Sequence, residues 1–155
     1  DRIQMTNIAQ VANVLQSMVL TKDDKMVLTP TYHVFKMYTS LLEECVVPVD
    51  VTSDRLTYEG EGTSVVDAVL TASADGRRHS YALVNKDPDN AREVALDFCG
   101  VDVKGKVEAV LLSGHSVDDY NDVGREDRVI PTGATLKVRD GKVSIPAHTL
   151  CVVRF

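Results

Sequence analysis

The chain predicts a mainly β protein: an antiparallel β-sandwich, jelly-roll-like, preceded by an N-terminal helical segment. Two observations carry this. Apolar residues recur at helical spacing in the first third and alternate with a period of two after Val49. Turn-forming groups, namely Asp75-Gly76, Pro88-Asp89-Asn90, Lys104-Gly105-Lys106 and Asp140-Gly141, punctuate the remainder at short intervals. Short strands between regularly spaced turns indicate a sandwich or jelly roll.

Each element follows from its local pattern. Ile3 and Met5 alternate with polar neighbours, as at the end of a strand. Ile8, Val11, Ala12 and Leu15 then fall at i, i+3, i+4 and i+7, which predicts a helix. Lys22-Asp23-Asp24-Lys25 is a polar turn between two apolar triplets, Met18-Val19-Leu20 and Met26-Val27-Leu28. Thr29-Pro30 predicts the start of a second helix, with Thr29 as N-cap and Pro30 at the first helical position. Val34, Met37, Tyr38 and Leu41 are its expected buried face, and it stops before Val46-Val47-Pro48. Ala68, Leu70 and Ala72 run into the Asp75-Gly76 turn, and Tyr81 to Asn85 return from it. Val94, Leu96 and Phe98 alternate with Glu93, Ala95 and Asp97, the clearest half-buried strand. Val107 to Leu112, Leu136 to Val138, Val143 to Ile145 and Leu150 to Phe155 supply the rest. A polar loop of about residues 113–131 interrupts them. The boundary between the helical head (1–47) and the β body (48–155) falls near Pro48.

Composition limits the function. A chain of 155 residues fits one domain. Its net charge of −6 and the lack of any basic cluster beyond Arg77-Arg78 argue against nucleic acid and anionic membranes as partners, since a phosphate surface would repel it. No apolar run approaches the ~20 residues of a membrane helix. Asp1-Arg2-Ile3-Gln4 has neither an initiator Met nor a signal pattern and reads as a cut end, which leaves the cellular location open. Cys45, Cys99 and Cys151 form no CxxC pair, so neither a zinc knuckle nor a redox motif is present; their pairing state stays open. No cofactor is expected.

Two stretches carry a resemblance. Asn7-Ile8-Ala9-Gln10-Val11-Ala12-Asn13-Val14-Leu15-Gln16, followed by Thr29-Pro30-Thr31-Tyr32-His33-Val34-Phe35-Lys36-Met37-Tyr38, closely resembles the end of the catalytic barrel in α-L-arabinofuranosidases of glycoside hydrolase family 51. Tyr81 to Lys86 and Ile145 to Leu150 resemble sandwich strands of the same family, so the likeness covers essentially the whole chain. It implies a (β/α)8 barrel followed by a jelly-roll sandwich, with residues 3–20 as the last barrel strand and its helix. It implies a parent enzyme that releases terminal α-L-arabinofuranosyl groups from arabinan or arabinoxylan with retention, using two carboxyls roughly 5–5.5 Å apart. In the family both catalytic glutamates lie upstream of this segment, so the chain is expected to be inactive alone and no catalytic residue is assigned. One substrate contact carries over: Gln10 matches a glutamine just after the last barrel strand, whose amide donates to and accepts from sugar hydroxyls. Asn13 is expected to be a contact between the helix and the barrel. The implied partners are the barrel of the same polypeptide and, through it, an arabinose-containing saccharide.

Other constellations read as structural. The run Asp118 to Asp127 fails the EF-hand pattern, because the fifth and twelfth positions counted from Asp119 are Val123 and Ile130; it is expected to be a solvated loop with local salt bridges. Asn121 and the step Val129-Ile130-Pro131 mark it as a structural loop in the resembled family. His33, His79, His115 and His148 lack metal spacing, so no metal site is predicted. Ser113-Gly114-His115 lacks a G-x-S-x-G elbow. Glu43-Glu44 and the pair Glu59/Glu61 read as exposed. Two further functions compete. A carbohydrate-binding module is disfavoured by the absence of Trp and by the core-facing pattern of Tyr81, Phe98 and Phe155. An interaction domain that forms a homo-oligomer would follow if apolar helix faces were left exposed.

Overall fold

The computed structural model describes residue 5 and residues 7–42, 45–96 and 103–154. The expected strand around Ile3, and Phe98, Cys99 and Phe155, lie outside them. After a hairpin of β1 (Val19–Lys22) and β2 (Lys25–Leu28) comes the helix α1 (Pro30–Tyr38), continued by a 3₁₀ turn at Thr39–Leu41. The strands that follow are β3 (Cys45–Val47), β4 (Arg55–Tyr58), β5 (Glu61–Ser64), β6 (Val66–Ala72), β7 (His79–Asn85), β8 (Arg92–Ala95), β9 (Gly105–Leu112), β10 (Pro131–Val138), β11 (Lys142–Ile145) and β12 (Thr149–Arg154).

Six strands form one antiparallel sheet in the order β10-β9-β12-β7-β6-β3. The pair β11-β8 packs against one face of it. There Leu70, Tyr81, Leu83, Val107, Ala109, Cys151 and Val153 of the large sheet meet Leu96, Val143 and Ile145. The opposite face is covered by Met37 and Leu41 of the helical segment and by Val129, which pack on Ala82, Leu112, Leu150 and Val152. The central strands β7 and β12 are therefore buried on both sides, which explains why Tyr81 to Val84 and Leu150 to Val153 are unbroken apolar runs instead of alternations. β9, nearer the edge, keeps the alternation: Val107 and Ala109 are buried while Glu108 and Val110 are exposed.

The β body matches the sandwich expected from the pattern. The β6–β7 turn is larger than a two-residue hairpin. Ser73 N donates to Arg78 O at 2.9 Å, and the Ser73 hydroxyl to Asp75 Oδ1 at 2.6 Å. Gly76 takes φ +68°, where a side chain would be strained. Helix α1 begins as predicted: Thr29 is extended (φ −81°, ψ 165°), its hydroxyl accepts from Tyr32 N at 3.4 Å, and Pro30 opens the helix. Met37 and Leu41 are buried, worth roughly 1.5–3 kcal/mol each. Val34, assigned to the same face, is instead exposed beside Phe35. β3 lies on the head side of Pro48 yet pairs with β6, Val47 opposite Leu70.

The helix expected over residues 8–15 does not form. Gln10 and Asn13 sit at φ 57° and 56°, outside the right-handed helical region. Val11 and Leu15 of the apolar stripe are exposed. A short helix is held mainly by packing of its apolar face, and in this chain that face meets solvent. The amides serve a different pattern: Met18 N and Val19 N both donate to Val11 O, at 3.0 and 3.1 Å.

One end of the sandwich is a polar knot that the sequence reading passed over. Asn85, buried at the end of β7, donates to Asn90 O and Pro146 O at 3.0 and 2.8 Å and accepts from Asp87 N. Asp87, also buried, accepts from Asp89 N, Asn90 N and the Arg92 guanidinium. The Asp89 and Asn90 amides and Arg92 hold its carboxyl down at about 2.

Candidate functional site

Gln10, the one residue assigned a substrate role, stands on the turn that replaces the expected helix. Its side chain is exposed and, among the described residues, no hydrogen bond holds it. The turn itself is fixed. Asn13 N donates to Val19 O at 3.0 Å, Thr21 N donates to Asn13 Oδ1 at 2.7 Å, and Asn13 Nδ2 donates to the Thr21 hydroxyl at 2.8 Å. Asn13, expected as a helix–barrel contact, stands instead on this turn and straps it to β1. A left-handed φ suits Asn, whose short amide bonds locally; at Gln10 it presents the side chain away from the strapped backbone.

The loop over residues 113–131 is anchored to this head. Asn121 is 1% exposed. Its Nδ2 donates to Leu28 O of β2 and to Val129 O, both at 2.9 Å, and its Oδ1 accepts from Val129 N at 2.8 Å. Both donors and the acceptor of the amide are used, as a buried amide requires. Between turn and loop lies an open hollow of about 430 Å³, lined by Asn13, Val14, Leu15, Leu20, Asp122 and Val123. The rest of the acidic run is a solvated loop as expected. Arg125 stacks over Tyr120 at 3.8 Å from the ring centroid and approaches Asp122 at 4.0 Å. Among the described residues no group of three or more His, Cys, Asp or Glu is placed to hold a metal ion.

Among the described residues, the carboxylates do not make an acid/base centre. A general acid for glycoside hydrolysis needs its pKa raised by burial or by a neighbouring negative charge. Those displaced here move the other way: Asp75 through Ser73, Asp87 through Asp89, Asp119 through His115 N and Glu126 through Gly124 N are all held low by hydrogen bonds. Glu59 and Glu61 flank the exposed β4–β5 turn, and Glu108 accepts from the Thr135 hydroxyl on the sheet surface.

The histidines are dispersed. His33 is half-buried in α1, edge-on to Tyr32 at 5.5 Å, and burial lowers its pKa. His148, at φ 38°, points Nδ1 at Pro88 O (2.9 Å) and Nε2 at Gly114 O (3.1 Å), joining two loops. Cys151 is fully buried, and that burial pushes its thiol up to about 12, while Cys45 is an exposed free thiol on β3. Buried and protonated, Cys151 packs as a small apolar residue.

A second hollow, of about 620 Å³, opens between the 49–54 segment and β8. Val66, Ala68, Tyr81 and Leu83 form its floor, with Asp54, Arg92 and Glu93 at the rim. Arg92 is already engaged there, by Asp87 at 2.6 Å and Asp54 at 3.0 Å.

Known proteins resemble the whole of this arrangement. A family model described as the α-L-arabinofuranosidase C-terminal domain matches residues 1–149. An intracellular exo-α-L-arabinofuranosidase of Bacteroides ovatus is 38% identical over 154 residues, which are 97% of this chain and 30% of that protein. The GH51 arabinofuranosidase structure from Xanthomonas axonopodis pv. citri superposes with a TM-score of 0.86 at 31% identity, covering 99% of this chain and 31% of that one. An α-L-arabinofuranosidase of Thermotoga maritima, solved as an arabinose complex, shares the fold at a TM-score of 0.79 and 23% identity, covering 95% of this chain and 33% of that one. The chain thus spans about a third of the length of the relatives it matches.

Proposed function

Because the chain belongs to the α-L-arabinofuranosidase C-terminal domain family, we propose that it is the non-catalytic C-terminal part of a family 51 enzyme. In this reading the parent removes terminal α-L-arabinofuranosyl groups from arabinan or arabinoxylan with retention, and its two catalytic carboxylates lie on a barrel upstream. The observation that carries the reading is the head. Residues 7–28 form a hydrogen-bonded turn and hairpin whose apolar side chains Val11, Leu15 and Met26 face solvent, a surface suited to being covered by a barrel. Gln10, free of internal bonds on the same turn, contacts the sugar hydroxyls. The division of the chain near Pro48 belongs to this reading, with β3 on the head side of it joining the body's sheet as an edge strand.

A stand-alone carbohydrate-binding module is less well supported. The hollow beside β8 has Tyr81 as its one aromatic lining residue, and Tyr81 is buried in the core, so that hollow offers no ring for stacking on a sugar face. Self-association through the exposed head residues is what this reading expects only when the barrel is absent.

Hydrolysis of a chromogenic α-L-arabinofuranoside by the chain alone and by the barrel-containing polypeptide tests the proposal. Activity is expected only in the latter, and Gln10→Ala there is expected to raise KM or lower kcat. Turnover by the isolated chain would place a catalytic pair within these residues and overturn the reading. Unchanged kinetics in Gln10→Ala would remove the substrate role of Gln10.

A further inference from the structure

Asn121 and Gln10 stand at the two ends of one short hydrogen-bonded ladder. Asn121, on the sandwich loop, donates to Leu28 O. Leu28 pairs with Val19 across the β1–β2 hairpin. Val19 N donates to Val11 O, and Val19 O accepts from Asn13 N, at 3.1 and 3.0 Å. Gln10 is the residue before Val11. Thr29 adds a parallel tie: its hydroxyl donates to Ser17 O at 2.6 Å and its amide to Met18 O at 3.1 Å. The ladder therefore crosses from Asn121, 93 residues beyond Leu28, to the backbone that aims Gln10. Among the described residues, Val11 and Leu15 of this turn are exposed and add little apolar packing to hold it.

We propose that Asn121 is a positioning residue for the arabinofuranosidase reaction: it fixes the β1–β2 hairpin to the sandwich and through it sets the placement of Gln10. This rests on the reading of Gln10 as a substrate contact. Asn121 touches no substrate itself. Replacing its amide leaves Leu28 O without its donor, and the hairpin keeps its internal pairing but loses its attachment to the loop. The sandwich then contributes to the placement of a sugar contact and not only to the stability of the fold.

A spatially continuous ladder is not in itself coupling; a double-mutant cycle measures that. The test uses the full-length enzyme, with kcat and KM for a chromogenic arabinofuranoside measured well below the melting temperature of each variant. Gln10→Ala, Asn121→Ala and the double variant form the cycle. Asn121→Asp keeps the acceptor for Val129 N and removes both donors. Thr21→Val, at an exposed position, removes the hydroxyl that accepts from Asn13 Nδ2, one of the two bonds of the Asn13 strap, should the Asn121 variants fail to fold. Ser73→Ala loosens the distant β6–β7 turn and serves as the control.

Asn121→Ala is expected to lower kcat/KM about ten-fold, mostly through KM, and to add little on top of Gln10→Ala, because residues in one network are strongly non-additive. Thr21→Val should show the same pattern at smaller size, and Ser73→Ala should be independent of Gln10→Ala. Full additivity of the Asn121 and Gln10 effects, or of the Thr21 and Gln10 effects where Asn121 variants do not fold, would overturn the positioning role and leave the Gln10 contact standing. A silent Gln10→Ala would remove the contact and the positioning role together.

Discussion

The head and the body of this chain are held by different means. In the body a large sheet is packed on both faces, and side chains such as Leu83, Ile145, Val143 and Val153 have essentially no contact with solvent. In the head, residues 7–28 bury little beyond Val27 and Ser17, and the structure depends on cross-links: Asn13 to Thr21, Thr29 to Ser17, Asn121 to Leu28. A packed region tolerates loss of one polar contact and suffers from a lost methyl group. A cross-linked region does the reverse. Three of the head's apolar side chains, Val11, Leu15 and Met26, face outward and contribute little to this chain's own stability.

That contrast can be sharpened by substitution, and the largest effect belongs to the body. Ile145→Ala removes a side chain enclosed between β11 and the large sheet; it is expected to destabilise by about 4 kcal/mol, toward the upper part of the range for buried Ile or Leu truncation. Chemical denaturation of the isolated chain measures it, and a change under 1 kcal/mol would mean that the inter-layer core is not well packed. Thr29→Ala comes next. It removes the N-cap of α1 and the tie to Ser17 together, and about 1–2 kcal/mol is expected; a loss as large as that of Ile145→Ala would erase the distinction between the regions. The smallest effect is expected from Leu15→Ser. Its side chain is exposed, so the stability of the isolated chain should change by less than about 0.5 kcal/mol. Light scattering of the same variant should show weaker self-association than the unsubstituted chain, and a marked drop in stability would show that Leu15 packs internally after all.

The comparison also explains what could be seen in the sequence. The body was legible because burial imposes a period. Val94 and Leu96 point inward with Glu93 outward, and the turn at Asp140-Gly141 falls where the alternation breaks. The start of α1 was legible because Thr29-Pro30 carries its own capping chemistry. The stripe Ile8, Val11, Ala12, Leu15 was misleading: its spacing is helical, but periodicity predicts a helix only when something is present to bury the stripe, and Val11 and Leu15 have no partner here. Val34 failed for the same reason on a smaller scale. The resemblance touched Asn121 and Asn85, but what their amides bond was not legible, since the carbonyls they reach, Leu28 O and Pro146 O, come from far along the chain. The resemblance located Gln10, yet what holds its backbone, a ladder reaching to residue 121, has no local pattern.

The position of β12 has a consequence for how the chain is made. It is the last strand in sequence, but it lies in the middle of the large sheet, between β7 and β9. Until it emerges from the ribosome, the sheet exists only as two separated parts, β3-β6-β7 and β9-β10, each with an unpaired inner edge that attracts foreign strands. The large sheet therefore cannot close before residues 149–154 are free to slot between the two parts. Once there, the strand made after all the others described is among the parts best shielded from water.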